Sequence, residues 1–454
     1  MKRMDLLKKF TAVALALVIG TATCACGGAK APADTAANTE VSENKEDTIE
    51  ETATEAPTEE PTEAPTEEPT PTPVKEDLSA EAIAFARDMR IGWNLGNTLD
   101  AYIDSQSSLG TTASETCWGN PKTSQELIDT MKEAGFNTIR VPVSWHNHVT
   151  LTTDDNGEEH LVIDDVWVNR VKEVVDYVYN DDMYVIINIH HDNIPVGKFG
   201  YIPDYENEEQ AMWYITEIWT RVAEEFKDYG EKLIFEGMNE PRLTNDPTHE
   251  WWIETSNKHC SEAIDVVNKL NQRFVDIVRA SGSNNANRYL MVPGYCASVS
   301  GMVNKGFELP YDPASNKLMV AVHAYSPYDF ALNEDMSLNK FDPESHDSVK
   351  DIEFMTTRAT ELYISQGIPV VLGEFGAREK NGNLSDRVAY YKYYVTKCKE
   401  AGIPCIVWDN GTKDGDGERF GLINRRTMEF YYPEIIDAYT SSWTSEDNEN
   451  MAAE

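Results

Sequence analysis

Two glutamates close two apolar runs that lie far apart in the chain. Glu240 ends LIFEGMNEP (233–241) and Glu374 ends PVVLGEFG (369–376). A buried apolar run that finishes in a carboxylate is unusual, because an unpaired buried charge is costly. Two such runs in one chain point to a pair of carboxylates brought together, one for acid/base work and one for nucleophilic attack. A single glutamate of this kind would more simply end a strand in solvent or pair with an arginine. The polar residues that accompany these two favour the catalytic pair.

Positioning such a pair requires a scaffold, and the chain from about Leu78 onward supplies a regular one. Short β-branched or apolar runs alternate with longer stretches of helical spacing. The strand candidates are Ile91–Asn97, Thr138–Trp145, Tyr184–His191, Leu233–Glu240, Arg288–Tyr295, Leu318–Tyr325, Pro369–Phe375 and Cys405–Asn410. Helical spacing covers Ser124–Ala134, Val166–Tyr179, Ala211–Phe226, Ala263–Val278, Ile352–Ile364 and Val388–Cys398. Ser124 is a natural N-cap, and Gly135, Gly367 and Gly402 follow helical runs as C-caps that lead into strands. Eight strands alternating with helices predict an α/β fold of the (β/α)8 TIM-barrel type. The rival is a doubly wound sheet, but no GxGxxG or P-loop follows any strand. A barrel places its chemistry at the C-terminal strand ends. Polar or aromatic residues stand there: Asn94 and Asn97, Arg140 and Trp145, His190 and His191, Asn239 and Glu240, His323 and Tyr325, Glu374, and Trp408.

In order, the strings WNLGN (93–97), IRVPVSW (139–145), INIHH (187–191), GMNEP (237–241), HAY (323–325), GEFG (373–376) and Trp408 resemble glycoside hydrolase family 5 over the whole stretch from Leu78 to Tyr439. CWGNP (117–121) resembles the branch that holds bacterial endoglucanases, some of which also act on xyloglucan or mixed-linkage glucan. The resemblance implies a retaining endo-β-1,4-glucanase with Glu240 as general acid/base and Glu374 as nucleophile. It implies that Arg140 and Tyr325 support Glu374, and that Asn239 binds the sugar 2-hydroxyl. His190 and His323 would orient sugar hydroxyls or the acid/base, and Trp408 would stack beneath the sugar. Asn97, Asp100, Trp118 and His191 are further candidates for glycone-side binding. Xyloglucan, lichenan, mannan or xylan are alternative backbones. A reading from another class, a non-catalytic polysaccharide-binding protein of the cell surface, would carry the loss of one carboxylate, and neither is lost.

The remaining features bound the setting. The formal net charge of the 454 residues is −39, which would repel nucleic-acid phosphates and argues against such a partner. Roughly a third of the acidic excess falls within residues 27–77, whose Pro/Thr/Glu repeat (57–70) lacks apolar residues to bury and reads as an extended linker. Residues 1–26 read as an export signal. Lys2, Arg3, Lys8 and Lys9 precede a short apolar run, and Cys26 between Ala25 and Gly27 resembles a lipoprotein cleavage site. The reading is therefore a secreted monomer, held at a membrane only through a lipid on Cys26. The catalytic domain is expected over 78–440, followed by a frayed acidic tail, 441–454. Seven cysteines match no zinc spacing. The five in the body, Cys117, Cys260, Cys296, Cys398 and Cys405, are expected as thiols. His146 and His148 lack a third metal ligand, and Asp414–Glu418 lacks a full calcium-loop pattern, so neither metal nor cofactor is expected.

Overall fold

The computed structural model describes residues 78–103, 107–195, 197–415 and 417–448. The expected export signal, lipid-anchor cysteine and linker lie outside the described residues, as do residues 449–454.

Eight parallel strands close into a barrel. They are β1 (Ile91–Asn94), β2 (Thr138–Val141), β5 (Tyr184–Asn188), β6 (Leu233–Glu236), β7 (Leu290–Ser298), β8 (Leu318–His323), β9 (Val370–Phe375) and β10 (Cys405–Val407). Going round the barrel from β1, the order is β10, β9, β8, β7, β6, β5 and β2. The eight expected strands are these eight. Several are shorter than expected because the residues at the rim leave regular pairing, although contacts such as Leu95 N to Arg140 O (2.9 Å) prolong the ladder. The main outer helices are α2 (Gln125–Glu133), α3 (Asp165–Asn180), α4 (Glu208–Phe226), α5 (Lys258–Ala280), α8 (His346–Leu362) and α9 (Leu384–Ala401). One-turn helices α6 (Val299–Met302) and α7 (Tyr328–Ala331) sit in the loops after β7 and β8, and α10 (Pro433–Thr440) follows β10. Ser124 does cap α2, accepting from Leu127 N, and Gly367 and Gly402 adopt the left-handed conformation.

Strand alternation explains the core. Ile186, Ile234, Met291, Met319, Ala321, Val371 and Ile406 form one buried cluster inside the barrel. The alternate residues, such as Val185, Ile187, Phe235 and Val322, pack outward against the helices. An additional helix, α1 (Leu78–Met89), puts Ala82, Ala86 and Met89 into the interior cluster and so closes one end of the barrel. The same inward alternation carried to the other end gives Asn94, Arg140, Asn188, Glu236 and His323. Register aligns Asn94 with Arg140 and Asn188 with Glu236.

Two features were not anticipated, and one expectation is corrected. The loop after β2 contains an antiparallel hairpin, β3 (Val149–Thr153) with β4 (Glu159–Ile163), whose alternating pattern and Asn156–Gly157 turn are legible in retrospect. A second short pair, β11 (Ile423–Asn424) with β12 (Glu429–Phe430), lies in the loop after β10. The domain does not fray at residue 441: Trp443 is buried in the core, and Asn448 Nδ2 donates to Arg87 O at 2.9 Å.

Candidate active site

The site rests on a fully buried cation. Arg140, on β2, donates from Nε to Glu236 Oε2 (2.8 Å), from Nη1 to Glu374 Oε1 (2.7 Å) and Asn94 Oδ1 (2.9 Å), and from Nη2 to Asn239 Oδ1 (2.7 Å). Burial lowers its affinity for its proton, but Glu236 and Glu374 outweigh that, so the guanidinium is held charged. Its planar fork lets one side chain fix four partners at once.

Glu374 reaches the mouth of the barrel by a local irregularity. Between Leu372 and Phe375, β9 carries one residue more than β8 on one flank and β10 on the other, and the pairing shifts on both. Such a bulge re-aims a side chain. It brings Glu374 into the mouth although the inward alternation of β9 runs through Val371 and Gly373. The second carboxylate oxygen of Glu374 accepts from Tyr325 Oη at 2.8 Å. Burial, then the charges of Glu374 and Glu240, push the Tyr325 phenol well above its usual range, so it stays a donor.

Glu240 sits in the loop just beyond β6. Its Oε1 lies 2.9 Å from His323 Nδ1, and the same ring nitrogen is 3.7 Å from Glu374 Oε1. A carboxylate oxygen of Glu240 and one of Glu374 fall within 4.8 Å of each other and of the His323 ring nitrogen. Burial alone would raise the Glu240 carboxyl, but the His323 hydrogen bond, with His323, Arg242 and Arg140 charges, pulls it below the usual range. Burial alone would lower His323, but Glu374 and Glu240 carry it above its usual range. The two shifts run in opposite directions and favour the imidazole over the carboxyl as the seat of a proton between them. Arg242 Nη1 stands 3.8 Å from Glu240 Oε2, with its guanidinium over Trp251.

Around this centre, His190 and Trp408 have parallel ring planes with centroids 5.9 Å apart. Burial, with His191 and Arg140 adding to it, pushes His190 well below its usual range; it is neutral, and its Nδ1 accepts from Asn188 Nδ2 at 3.1 Å. Trp408 lies against Gly96, where a Cβ would come within 2.7 Å of the indole. Asp409 anchors the next position, accepting from Trp93 Nε1 (2.9 Å) and flanked by Arg425.

The predicted glycone-side residues form a neighbouring group. His191 packs beside Tyr102 and Trp118, and Trp118 is 39% exposed. Asn97 takes a positive φ of 54°, and its carbonyl accepts from Asn120 Nδ2. Asp100 departs from the expectation of direct sugar binding. It is fully buried, and its carboxylate accepts from Asn97 N (3.0 Å) and Thr98 N (2.6 Å), so it shapes the loop that presents Asn97. His146 and His148 are buried, and His148 stacks on Trp167 and bonds Ser114 Oγ. Among the described residues, three groups come close enough to hold a cation: Asp100 with His190 and His191, Asp154 with Glu158 and His160, and Glu240 with His323 and Glu374; in the last, Arg140 already puts a positive charge against Glu374. Sequence reasoning missed Glu236, Asn188 and Arg242. Glu236 was legible in principle, since it lies four residues before Glu240 on the inward alternation of β6.

Comparison with known proteins agrees with this geometry. Residues 102–414 match the cellulase model of glycosyl hydrolase family 5. Endoglucanase B of Neocallimastix patriciarum is 42% identical over 356 residues, covering 77% of this chain and 69% of that protein. A family 5 lichenase from Caldicellulosiruptor sp. F32, solved as a mutant with cellotetraose, is 46% identical with a TM-score of 0.75, over 80% of this chain and 95% of that one. A xyloglucan-specific endo-β-1,4-glucanase from a metagenomic library, solved with cellotriose, is 37% identical with a TM-score of 0.70, over 80% and 99%. A glycosidase-type carboxylate pair at the mouth of a closed (β/α)8 barrel, together with a family match over most of the chain, places this protein in glycosyl hydrolase family 5.

Proposed function

We propose that this protein is a retaining endo-β-1,4-glucanase that cleaves internal bonds of β-glucans by double displacement. The observation that carries the reading is the closeness of the Glu240 and Glu374 carboxylates, within 4.8 Å between nearest oxygens. That spacing fits direct attack on the anomeric carbon; an inverting pair stands ~6.5–9.5 Å apart to admit a water. Glu374, held by Arg140 and Tyr325, attacks C1 as the C1–O bond breaks and Glu240 delivers a proton to the leaving oxygen. Glu240 then takes a proton from the water that displaces Glu374. Asn239 binds the 2-hydroxyl and Trp408 stacks on the sugar face, a reading supported by the hold of Arg140 on the Asn239 amide.

The substrate class follows from the endoglucanase, lichenase and xyloglucanase relatives, all acting on β-glucans by their names. The reading is a β-1,4-glucan backbone with tolerance of mixed linkage. The basic and apolar opening residues and Cys26 support export with a lipid anchor, the repeat after them serving as a spacer. Reducing-end release from carboxymethyl cellulose, lichenan, xyloglucan, mannan and xylan tests the function, with Glu374→Gln alongside. Release from the glucans that Glu374→Gln abolishes is expected. Release from mannan or xylan alone would overturn the substrate, and full activity in Glu374→Gln would overturn the mechanism.

A further inference from the structure

A third carboxylate lies under the catalytic pair. Glu236 has no exposed surface. Its Oε2 accepts from Arg140 Nε (2.8 Å) and Asn188 Nδ2 (2.9 Å), while its Oε1 has no hydrogen-bond partner. His323 Nε2 lies 4.0 Å from it and is likewise buried and without a hydrogen-bond partner. The opposite edge of that ring is the one that meets Glu240. The two orphaned atoms face each other across a slot kept open by Gly373. A Cβ there would come 3.0 Å from His323 Nε2 and 3.7 Å from Glu236 Oε1. Orphaned buried polar atoms are rare and costly, so two that face one another ask for an explanation.

We propose that Glu236 is a positioning residue of the acid/base step: it backs His323 from the Nε2 edge, so that the ring stays doubly protonated and presents its Nδ1 hydrogen to Glu240. The inference rests on the glycosidase reading above and adds a residue to it. Three carboxylates, Glu236, Glu240 and Glu374, converge on Arg140 and the His323 ring in a buried space. A neutral polysaccharide brings no counter-charge, so two cations, Arg140 and Arg242, against three anions leave an excess of one negative charge, which the cluster relieves by taking up one proton. His323 is the base with carboxylates on both edges. His190, the other nearby imidazole, is neutral and already accepts from Asn188. The proton passes from His323 Nδ1 to Glu240 Oε1 and from Glu240 to the leaving oxygen. The attacking water returns one by the reverse route, so nothing is consumed. His323, raised above its usual range by Glu374 and Glu240 against the opposing pull of burial, is consistent with this seat for the proton.

The test is Glu236→Gln, which keeps the shape and an acceptor for Arg140. Removing the negative charge weakens the hold of the His323–Glu240 pair on its proton. The alkaline limb of kcat/KM on a soluble β-glucan should therefore move to lower pH by roughly one unit, with the thermal transition still cooperative. Reduced activity with both limbs unmoved would mean that Glu236 only packs, and would overturn the proposal. Should Glu236→Gln fail to fold, 15N NMR of histidine-labelled native protein decides instead. A His323 ring with both nitrogens protonated at neutral pH supports the proposal, and a neutral ring overturns it. That spectrum is independent of substrate, so absence of glucanase activity would defeat the functional reading without touching this result.

Discussion

Arg140 and Glu374 lie 2.7 Å apart with no exposed surface on the guanidinium, and the same arginine also binds Glu236 and Asn239. One buried cation thus sets the position of the proposed nucleophile, of the carboxylate behind the proposed acid/base, and of the amide proposed to bind the 2-hydroxyl. Arg140→Met should be severe in stability as well as in activity. It leaves Glu236 and Glu374 buried and unpaired, a loss on the order of 3–5 kcal/mol. Urea denaturation checks this; a midpoint equal to wild type would show that the cluster is solvated.

Tyr325→Phe isolates the other hold on Glu374. The hydroxyl is one donor to a carboxylate, at 2.8 Å. Hydrogen bonds to charged groups contribute about 1.5–3 kcal/mol. A loss of about 10- to 100-fold in kcat/KM is expected, with the thermal midpoint lowered by only a few degrees. Steady-state kinetics beside a melt separate the two effects.

Gly96→Ala tests the seat of Trp408. A Cβ would fall 2.7 Å from the indole and 2.8 Å from Asp409 O, and a backbone neighbour cannot yield easily. Overpacking of this sort costs about 1–3 kcal/mol. Displacement of the ring should raise KM for short cello-oligosaccharides more than it lowers stability, which titration by tryptophan fluorescence would register.

Asp192, in the loop after β5, is buried and accepts from Trp145 N and His146 N of the loop after β2 and from Tyr214 Oη. Burial pushes its carboxyl up to about 6, against the pull of those hydrogen bonds. A folded-state value above the unfolded one means that the folded chain holds the extra proton. The stability this gives is full below about pH 4 and is lost as pH rises through 6. Asp192→Asn keeps the acceptor without the buried charge. It should be more stable than wild type at pH 7 by on the order of 2 kcal/mol, with the gain fading towards pH 4. Melting curves at the two pH values test this.

Much of the architecture was legible because alternation, helical spacing and glycine caps all speak the same language of local periodicity. The positions of Glu240, His323, Tyr325 and Trp408 followed from strand ends. Hidden were the features set by three-dimensional register. The bulge that turns Glu374 into the mouth is a pairing relation between strands, and no spacing in PVVLGEFG announces it. The inward alternation of β6 places Glu236 inside the barrel, but its pairing with Arg140 and Asn188 depends on neighbouring strands. Asp100 misled for the opposite reason: its sequence position near Asn97 is right, but its carboxylate is committed to backbone amides. Trp443 lies in a polar, acidic stretch that reads as a tail, and only packing shows it to be core.

The most direct test of the central claim follows the stereochemistry of the first product. Proton NMR of the newly formed reducing end, recorded within the first minutes of cello-oligosaccharide hydrolysis, distinguishes the anomers before they equilibrate. Direct attack by Glu374 followed by water predicts that the β-anomer appears first and the α-anomer grows in later. Initial formation of the α-anomer would contradict the account, because it would place a water, and not Glu374, at the anomeric carbon.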